Sequence, residues 1–420
     1  MRDIMQLDVT NVEFNKNPYP LYEALHAQNA IARDSNLNAF FFGHYEDVSK
    51  ILRSQDFTTT PLASRAEPVM GDRVLAQMEG HEHHSKRHAV VSGLTGKMFR
   101  ERHASMIADI TNQLLSKKLE SGHIDLINDF GKEYSILVAL KVLGLPVDRF
   151  KDVSLWLGGI TGFITSFQMC AKEREYSLDC SRYIIKYLTP IVEEQISWPN
   201  NSLISVLCQA EDSGQKMTTS EIVALVLNVL LAATEPADKT LAYLFYHLLA
   251  KPGQLNTVKT NREHLIPAIG ETLRLTSPVQ LIPRQARREV NIAGIDLPAG
   301  TVVFCMIGAA NRDPAVFPLA DKFILDRKMM TKNSPDFGRM ANHLAFGAGM
   351  HVCVGAAFSL MQIQLTANLI LDNLNEVKFA SNFVLQEEGL YTRGPIALPL
   401  IFQPHISNNH SSEEACGVLV

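Results

Sequence analysis

Apolar positions recur every three to four residues through most of this chain, a period that predicts a mainly helical protein. Asn17-Pro18-Tyr19-Pro20 opens a helix running to about Gln28, with proline accommodated in its first turn. Ala39 to Phe42 is rich in strand formers, and Tyr45 to Ser54 reads as a second helix. Residues 58–80 carry little periodicity and are expected to form a long functional loop. From His81 to about residue 276 helical periods dominate, interrupted at Gly144-Leu145-Pro146 and at Trp198 to Ser202. Short strand-like runs follow at Val290 to Leu297 and Thr301 to Phe304, and a last helical period follows Cys353. The expected fold class is mainly α with small β-sheets. A single domain is expected over residues 1–406, and the polar tail 407–420 is expected to be disordered.

Length alone would suggest two or three domains for 420 residues, but no linker composition and no internal repeat divides them. With 46% hydrophobic and 20% charged residues, the chain has ample material to bury a core around a cofactor. A formal net charge of −5 argues against a nucleic-acid partner. Six cysteines (Cys170, Cys180, Cys208, Cys305, Cys353, Cys416) show no framework spacing, which fits free thiols in a reducing cytoplasm. Cys416 stands one place off the position of a prenylation box. The first ten residues are too polar for a signal peptide, and the longest apolar segment, Ile222 to Ala233, is too short to span a bilayer. No membrane association is expected.

The most informative stretch is His343-Leu-Ala-Phe346-Gly347-Ala-Gly349-Met-His351-Val-Cys353-Val-Gly355. Two glycines allow tight turns that leave peptide N–H groups free to point at one sulfur. The helical period after Cys353 places the thiol at a helix N-terminus, where dipole and amides favour a thiolate. An isolated cysteine is most often a buried structural residue, and a redox or nucleophilic role is the next alternative, although no Cys-x-x-Cys accompanies it. The frame Phe-Gly-x-Gly-x-His-x-Cys-x-Gly resembles the heme-thiolate loop of the cytochrome P-450 superfamily. That resemblance implies a single-domain cytochrome P-450 fold, with Cys353 as the axial ligand of a heme b (iron protoporphyrin IX) and Phe346 and His351 beside it.

Further motifs carry the same resemblance. Glu271-Thr-Leu-Arg274 puts two charges on one helical face, a spacing that alone marks only a surface ion pair. About eighty positions before Cys353 and followed by Asn311-Arg312-Asp313-Pro314, it resembles the family's structural pair, which holds the heme loop. His83-His-Ser-Lys-Arg87 matches the family's His-x-x-x-Arg, and Arg284 after Pro283 matches its strand arginine. With His351 these are the implied partners of the heme propionates. Taken singly, each is an ordinary surface residue. The cluster His81 to His84 lacks the His-Glu-x-x-His spacing and shows no third zinc ligand.

Glu221 to Leu241 is a long apolar helix with acid chemistry in its middle, where the family's central helix crosses the oxygen side of the heme. The family pattern there is small-Gly-x-acid-Thr. This chain has Ala232-Ala233-Thr234-Glu235-Pro236, so the acid is kept and the alcohol is replaced by proline. Pro236 removes the N–H that would bond the Ala232 carbonyl, leaving that oxygen free either to hold water or to mark a structural kink. Glu235, Pro236 and Thr234 are the candidate catalytic group.

Within the superfamily the chain most resembles cyclodipeptide-oxidising members, through Leu230 to Ala242, Pro278 to Gln285, Val303 to Pro314, Gly389 to Pro395 and, in the implied substrate loop, Arg65 to Met70 with Val74 to Met78, and matches them poorly over residues 155–215. The implied pocket contains Asn228, Ala232, Val279, Gln280, Leu281, Ile282, Leu390 and Tyr391. The implied reaction is monooxygenation of a small secondary metabolite, with cyclo(leucyl-leucyl) the leading substrate. Electrons are expected from NAD(P)H through a separate ferredoxin or flavodoxin with its reductase, with Lys97, Arg100 and Arg102 as part of a docking patch. The alternatives are hydroxylation of a polyketide or terpenoid scaffold, a heme-thiolate dehydratase, isomerase or peroxygenase, and, remotely, a heme-binding sensor or carrier.

Overall fold

Thr218 starts the longest helix: its hydroxyl accepts from the Glu221 amide, and the Glu221 carboxylate accepts from the Thr218 amide. The helix then runs unbroken from Thr219 to Ala250, through Pro236. Ile222 to Leu227 are buried on every face, the signature of a helix sunk in a core rather than laid on one. The computed structural model describes residues 2–212, 214–327 and 342–404. The expected disorder at 407–420 and Cys416 lie outside that range.

By length and composition the central helix is apolar enough to cross a membrane, but half of its most apolar window is buried inside the protein. It packs on Lys132–Leu143, Ala171–Ser197, Leu265–Leu275 and Ala356–Asn373. The protein is predominantly helical, in one domain with small sheets, as its sequence pattern implies. The largest sheet has six strands in the order Asp3–Leu7, Ala30–Asp34, Ala39–Phe42, Val302–Met306, Leu281–Ala286 and Phe57–Thr58. Val302–Met306 pairs antiparallel with Leu281–Ala286, putting Val303 opposite Arg284. The run Val290 to Leu297 is a hairpin that turns at Ala293 and Gly294, both at positive φ.

One sequence expectation fails. Residues 58–80 are not a long loop, because Thr60–Met70 is helical, with Pro61 in its first turn. Pro68 inside it and a buried face of only Ala66, Val69 and Met70 explain why no clear period announced it.

Candidate active site

The cysteine loop is fixed by its own backbone. Gly347 and Gly349 take φ of 72° and 73°, Gly347 N–H bonds Leu344 O at 2.8 Å, and Cys353 N–H bonds Phe346 O at 2.9 Å. Gly349 admits no side chain: a Cβ there would meet Leu52 O at 2.5 Å and Arg53 Cα at 3.0 Å. The loop therefore rests on the end of the helix Tyr45–Arg53, and the helix Ala356–Asn373 begins three residues past Cys353.

Cys353 is surrounded by protein, yet its side chain stays open to an internal cavity. Burial raises the thiol pKa, partly offset by amide hydrogen bonds from Gly355 and Ala356 and by the Arg87 charge. In this site the helix end lowers the cost of a thiolate, and a bound metal cation would complete its deprotonation.

The cavity, about 430 Å³, lies between this loop and the central helix. Of the residues singled out from the sequence, Phe346, His351, Cys353, His83, Arg87 and Arg284 line it together. So do Asn228, Ala232, Glu235, Pro236, Val279, Ile282 and Tyr391. Four do not. Thr234 is buried off the cavity, its hydroxyl donating to Leu231 O at 3.1 Å. Gln280 accepts from the Tyr22 hydroxyl at 2.8 Å, donates to Ser277 O at 2.5 Å and is wedged against Gly308. Leu281 faces the opposite side of its strand from Ile282 and packs with Tyr22, Leu25 and Phe41. Leu390 lines a smaller pocket next door, which shares Thr165, Tyr391 and Thr392 with the cavity.

One end of the cavity is cationic. Arg284 is 5% exposed and donates to Pro283 O at 2.8 Å, and neither it nor Arg87 forms an ion pair among the described residues. The His83 and His351 rings lie 4.4 Å apart, and burial is the first cause lowering both imidazole pKa values, His351 to about 4. An enclosed guanidinium such as that of Arg284 is costly without a counter-charge, and with the half-buried Arg87 on the same cavity this end suits a ligand bearing carboxylates. A thiol on the wall, apolar surfaces from Ala232, Ile363 and Val279, and two unpaired arginines fit a heme and its two propionates. Among the described residues no three His, Cys, Asp or Glu side chains come together as a separate metal site.

Behind the loop, Glu271 and Arg274 are fully buried, not a surface pair. Arg274 Nε and Nη2 each lie 2.8 Å from a Glu271 oxygen, and Arg327 Nε lies 3.0 Å from both. Arg274 Nη1 donates to Asn311 O at 2.8 Å, and Asn311 Oδ1 accepts from Leu344 N at 2.7 Å. This chain of contacts links the pair to the cysteine loop.

Several contributors escaped the sequence reading. Arg327 is 56 positions from Glu271 with no local motif to mark it. Thr392 and Lys239 both bond Glu235 Oε2, at 3.2 Å and 3.0 Å. Arg65, from the implied substrate loop, was in view, but not its contacts: it donates to Ile164 O at 2.9 Å and Ser166 O at 3.1 Å and lies over the rings of Phe167 and Tyr391. Of the three candidate docking cations, Arg102 is engaged with Asn201 O at 2.8 Å.

A cytochrome P450 family model matches residues 163–381. Pulcherriminic acid synthase of Bacillus subtilis (strain 168) is 42% identical over 402 residues, covering 96% of this chain and 99% of the relative. Mycinamicin IV hydroxylase/epoxidase of Micromonospora griseorubida is 27% identical over 374 residues, covering 87% of this chain and 89% of the relative. Among solved structures, cytochrome P450 CYP109Q5 from Chondromyces apiculatus superposes with a TM-score of 0.82 at 25% identity, covering 95% of this chain and 99% of its own. P450BioI, solved with an acyl-ligated acyl carrier protein, shares the fold at a TM-score of 0.81 and 23% identity, covering 93% and 99%.

Proposed function

The chain belongs to the cytochrome P450 family, and on that premise we propose that this monooxygenase oxidises a small neutral cyclodipeptide such as cyclo(leucyl-leucyl) towards pulcherriminic acid. The observation that carries the substrate reading is the 42% identity to pulcherriminic acid synthase along 96% of the chain. The cavity chemistry supports it: Leu62, Leu75, Ala76 and Ile164 suit two alkyl arms, while Asn228, Glu235 and the Thr392 hydroxyl offer polar contacts to a ring with two amides.

Bound heme supplies the iron at which dioxygen is activated and the substrate oxidised. Cys353 Sγ would hold that iron, and Arg87, Arg284, His83 and His351 would hold the propionates. Pro236 has no N–H to give the Ala232 carbonyl its helical bond, and Ala232 lines the cavity, so that oxygen would accept from water there. Glu235, one residue earlier on the same wall, is the acid that manages protons there. A separate redox partner delivers electrons. We assign that role to a ferredoxin or flavodoxin whose reductase draws on NAD(P)H, and place the reaction in the cytoplasm.

Incubating the holoprotein with a ferredoxin, its reductase, NADPH and cyclo(leucyl-leucyl) tests the proposal. The expected result is a heme absorbance shift on binding followed by a pyrazine-type oxidised product. No shift and no product, alongside turnover of a polyketide or terpenoid, would overturn the substrate assignment.

A further inference from the structure

Pro236 stands where the resemblance places an alcohol beside the acid, so the helix itself offers no hydroxyl at that position. Nearby hydroxyls on the helix are committed elsewhere. Thr234 donates to Leu231 O at 3.1 Å away from the cavity, and Thr240 donates to Pro236 O at 2.7 Å. A hydroxyl does reach the acid, but from another part of the fold. Thr392 Oγ1 donates to Glu235 Oε2 at 3.2 Å, across 157 positions of sequence, and both residues line the cavity.

The placement of Thr392 is set by backbone. It bridges to Val279 in antiparallel fashion, while Gln280 N–H bonds Tyr391 O at 2.9 Å and Arg393 N–H bonds Pro278 O at 2.7 Å. The buried Arg393 guanidinium pins the same loop to Asn15 O and Gly389 O, both at 3.0 Å. A cation holds Glu235 as well. Lys239, one helical turn on, donates to the same Oε2 at 3.0 Å, and its side chain is 19% exposed. Glu235, its own side chain 31% exposed, is therefore held at one oxygen by a partly exposed cation and by a hydroxyl on the cavity wall.

We propose that Thr392 supplies the alcohol that Pro236 displaced, completing a proton path from Lys239 through Glu235 to the cavity. The inference rests on the reading of Glu235 as the site's acid. Each step moves one proton and no electron. The Lys239 ammonium loses an N–H to the Glu235 carboxylate and is reprotonated from solvent. Once Glu235 is a carboxyl, the Thr392 hydroxyl turns its hydrogen from Oε2 towards the cavity, accepts the carboxyl proton and passes its own hydrogen to an acceptor there. A hydroxyl is suited to this because it donates and accepts at one atom. Glu235 ends as a carboxylate, with one proton carried from solvent to the cavity.

Two substitutions isolate the hydroxyl. Thr392→Val keeps the shape and removes the oxygen, and Thr392→Ser keeps the oxygen. In substrate-free holoprotein, the infrared carboxylate band assigned to Glu235 by its loss in Glu235→Gln should move in Thr392→Val and stay in Thr392→Ser. With ferredoxin, reductase, NADPH and cyclo(leucyl-leucyl), the peroxide released per NADPH should rise at least threefold in Thr392→Val. Heme content should hold, and Thr392→Ser should behave as the parent. An unmoved band, or a moved band with unchanged peroxide release, overturns the assignment. If cyclo(leucyl-leucyl) gives no heme shift, the substrate proposal falls, and the band, read without substrate, still decides whether Thr392 holds Glu235.

Discussion

Replacing Glu271 with alanine strikes the one carboxylate that serves two buried guanidinium groups. Glu271 and Arg274 have no exposed surface, and Arg327 is 6% exposed. The carboxylate also accepts from the Ile324 amide at 3.0 Å. Alanine leaves two enclosed cations without a counter-charge and one amide without a partner. Breaking a buried pair costs about 3–5 kcal/mol, and orphaning a buried donor adds about 1–3 kcal/mol. Against a typical total of about 5–15 kcal/mol, that removes a large share of the stability. The damage should reach the heme, because Arg274 holds the Asn311 carbonyl and the Asn311 side chain holds Leu344 at the start of the cysteine loop. Heme content per chain and urea unfolding midpoints, compared for the parent, Glu271→Ala and Glu271→Gln, measure this directly. Glu271→Ala should be heme-poor and strongly destabilised, with the glutamine variant in between. Full heme loading with less than about 1 kcal/mol lost would refute the reasoning, since no buried ion network could vanish so cheaply.

Burial pushes the Asp238 carboxyl up to about 7 from 3.8, so the folded protein binds a proton that the unfolded chain releases. Its contribution to stability is present below about pH 4 and is lost as pH rises to about 7, on the order of 4 kcal/mol in all. Unfolding of Asp238→Asn, which stays neutral, should lack that decline when subtracted from the parent. A parallel pair of pH curves would rule it out. Gly349→Ala forces a side chain into a left-handed conformation, about 1–2 kcal/mol on its own, and against Leu52 O at 2.5 Å. Heme loading should fall sharply, and an alanine variant that loads normally would show that the loop is not seated on that helix.

How much of this was readable in the sequence depended on distance along the chain. The cysteine loop was legible because its requirements are local: two positive-φ glycines, and a thiol three residues before a helix. Glu271 and Arg274 were legible as an i,i+3 pair, but their burial was not, because burial is set by the distant Arg327 and the carbonyls of Ala320 and Lys322. Gln280 and Leu281 sat in the right segment and on the wrong side. Only the strand's register decides that Ile282 and Arg284 meet the cavity while Leu281 meets Tyr22. The helix Thr60–Met70 and the Thr392 contact with Glu235 left no periodic trace, the first because Pro68 interrupts it and the second because it joins residues far apart in sequence.

Everything proposed for this cavity depends on Cys353 being the thiolate that binds heme iron. That assignment is tested most directly by the absorbance spectrum of the reduced carbon monoxide complex, compared between the parent and Cys353→Ser. A thiolate-type spectrum is expected in the parent and should be lost in the serine variant. The same spectrum in both proteins would contradict it.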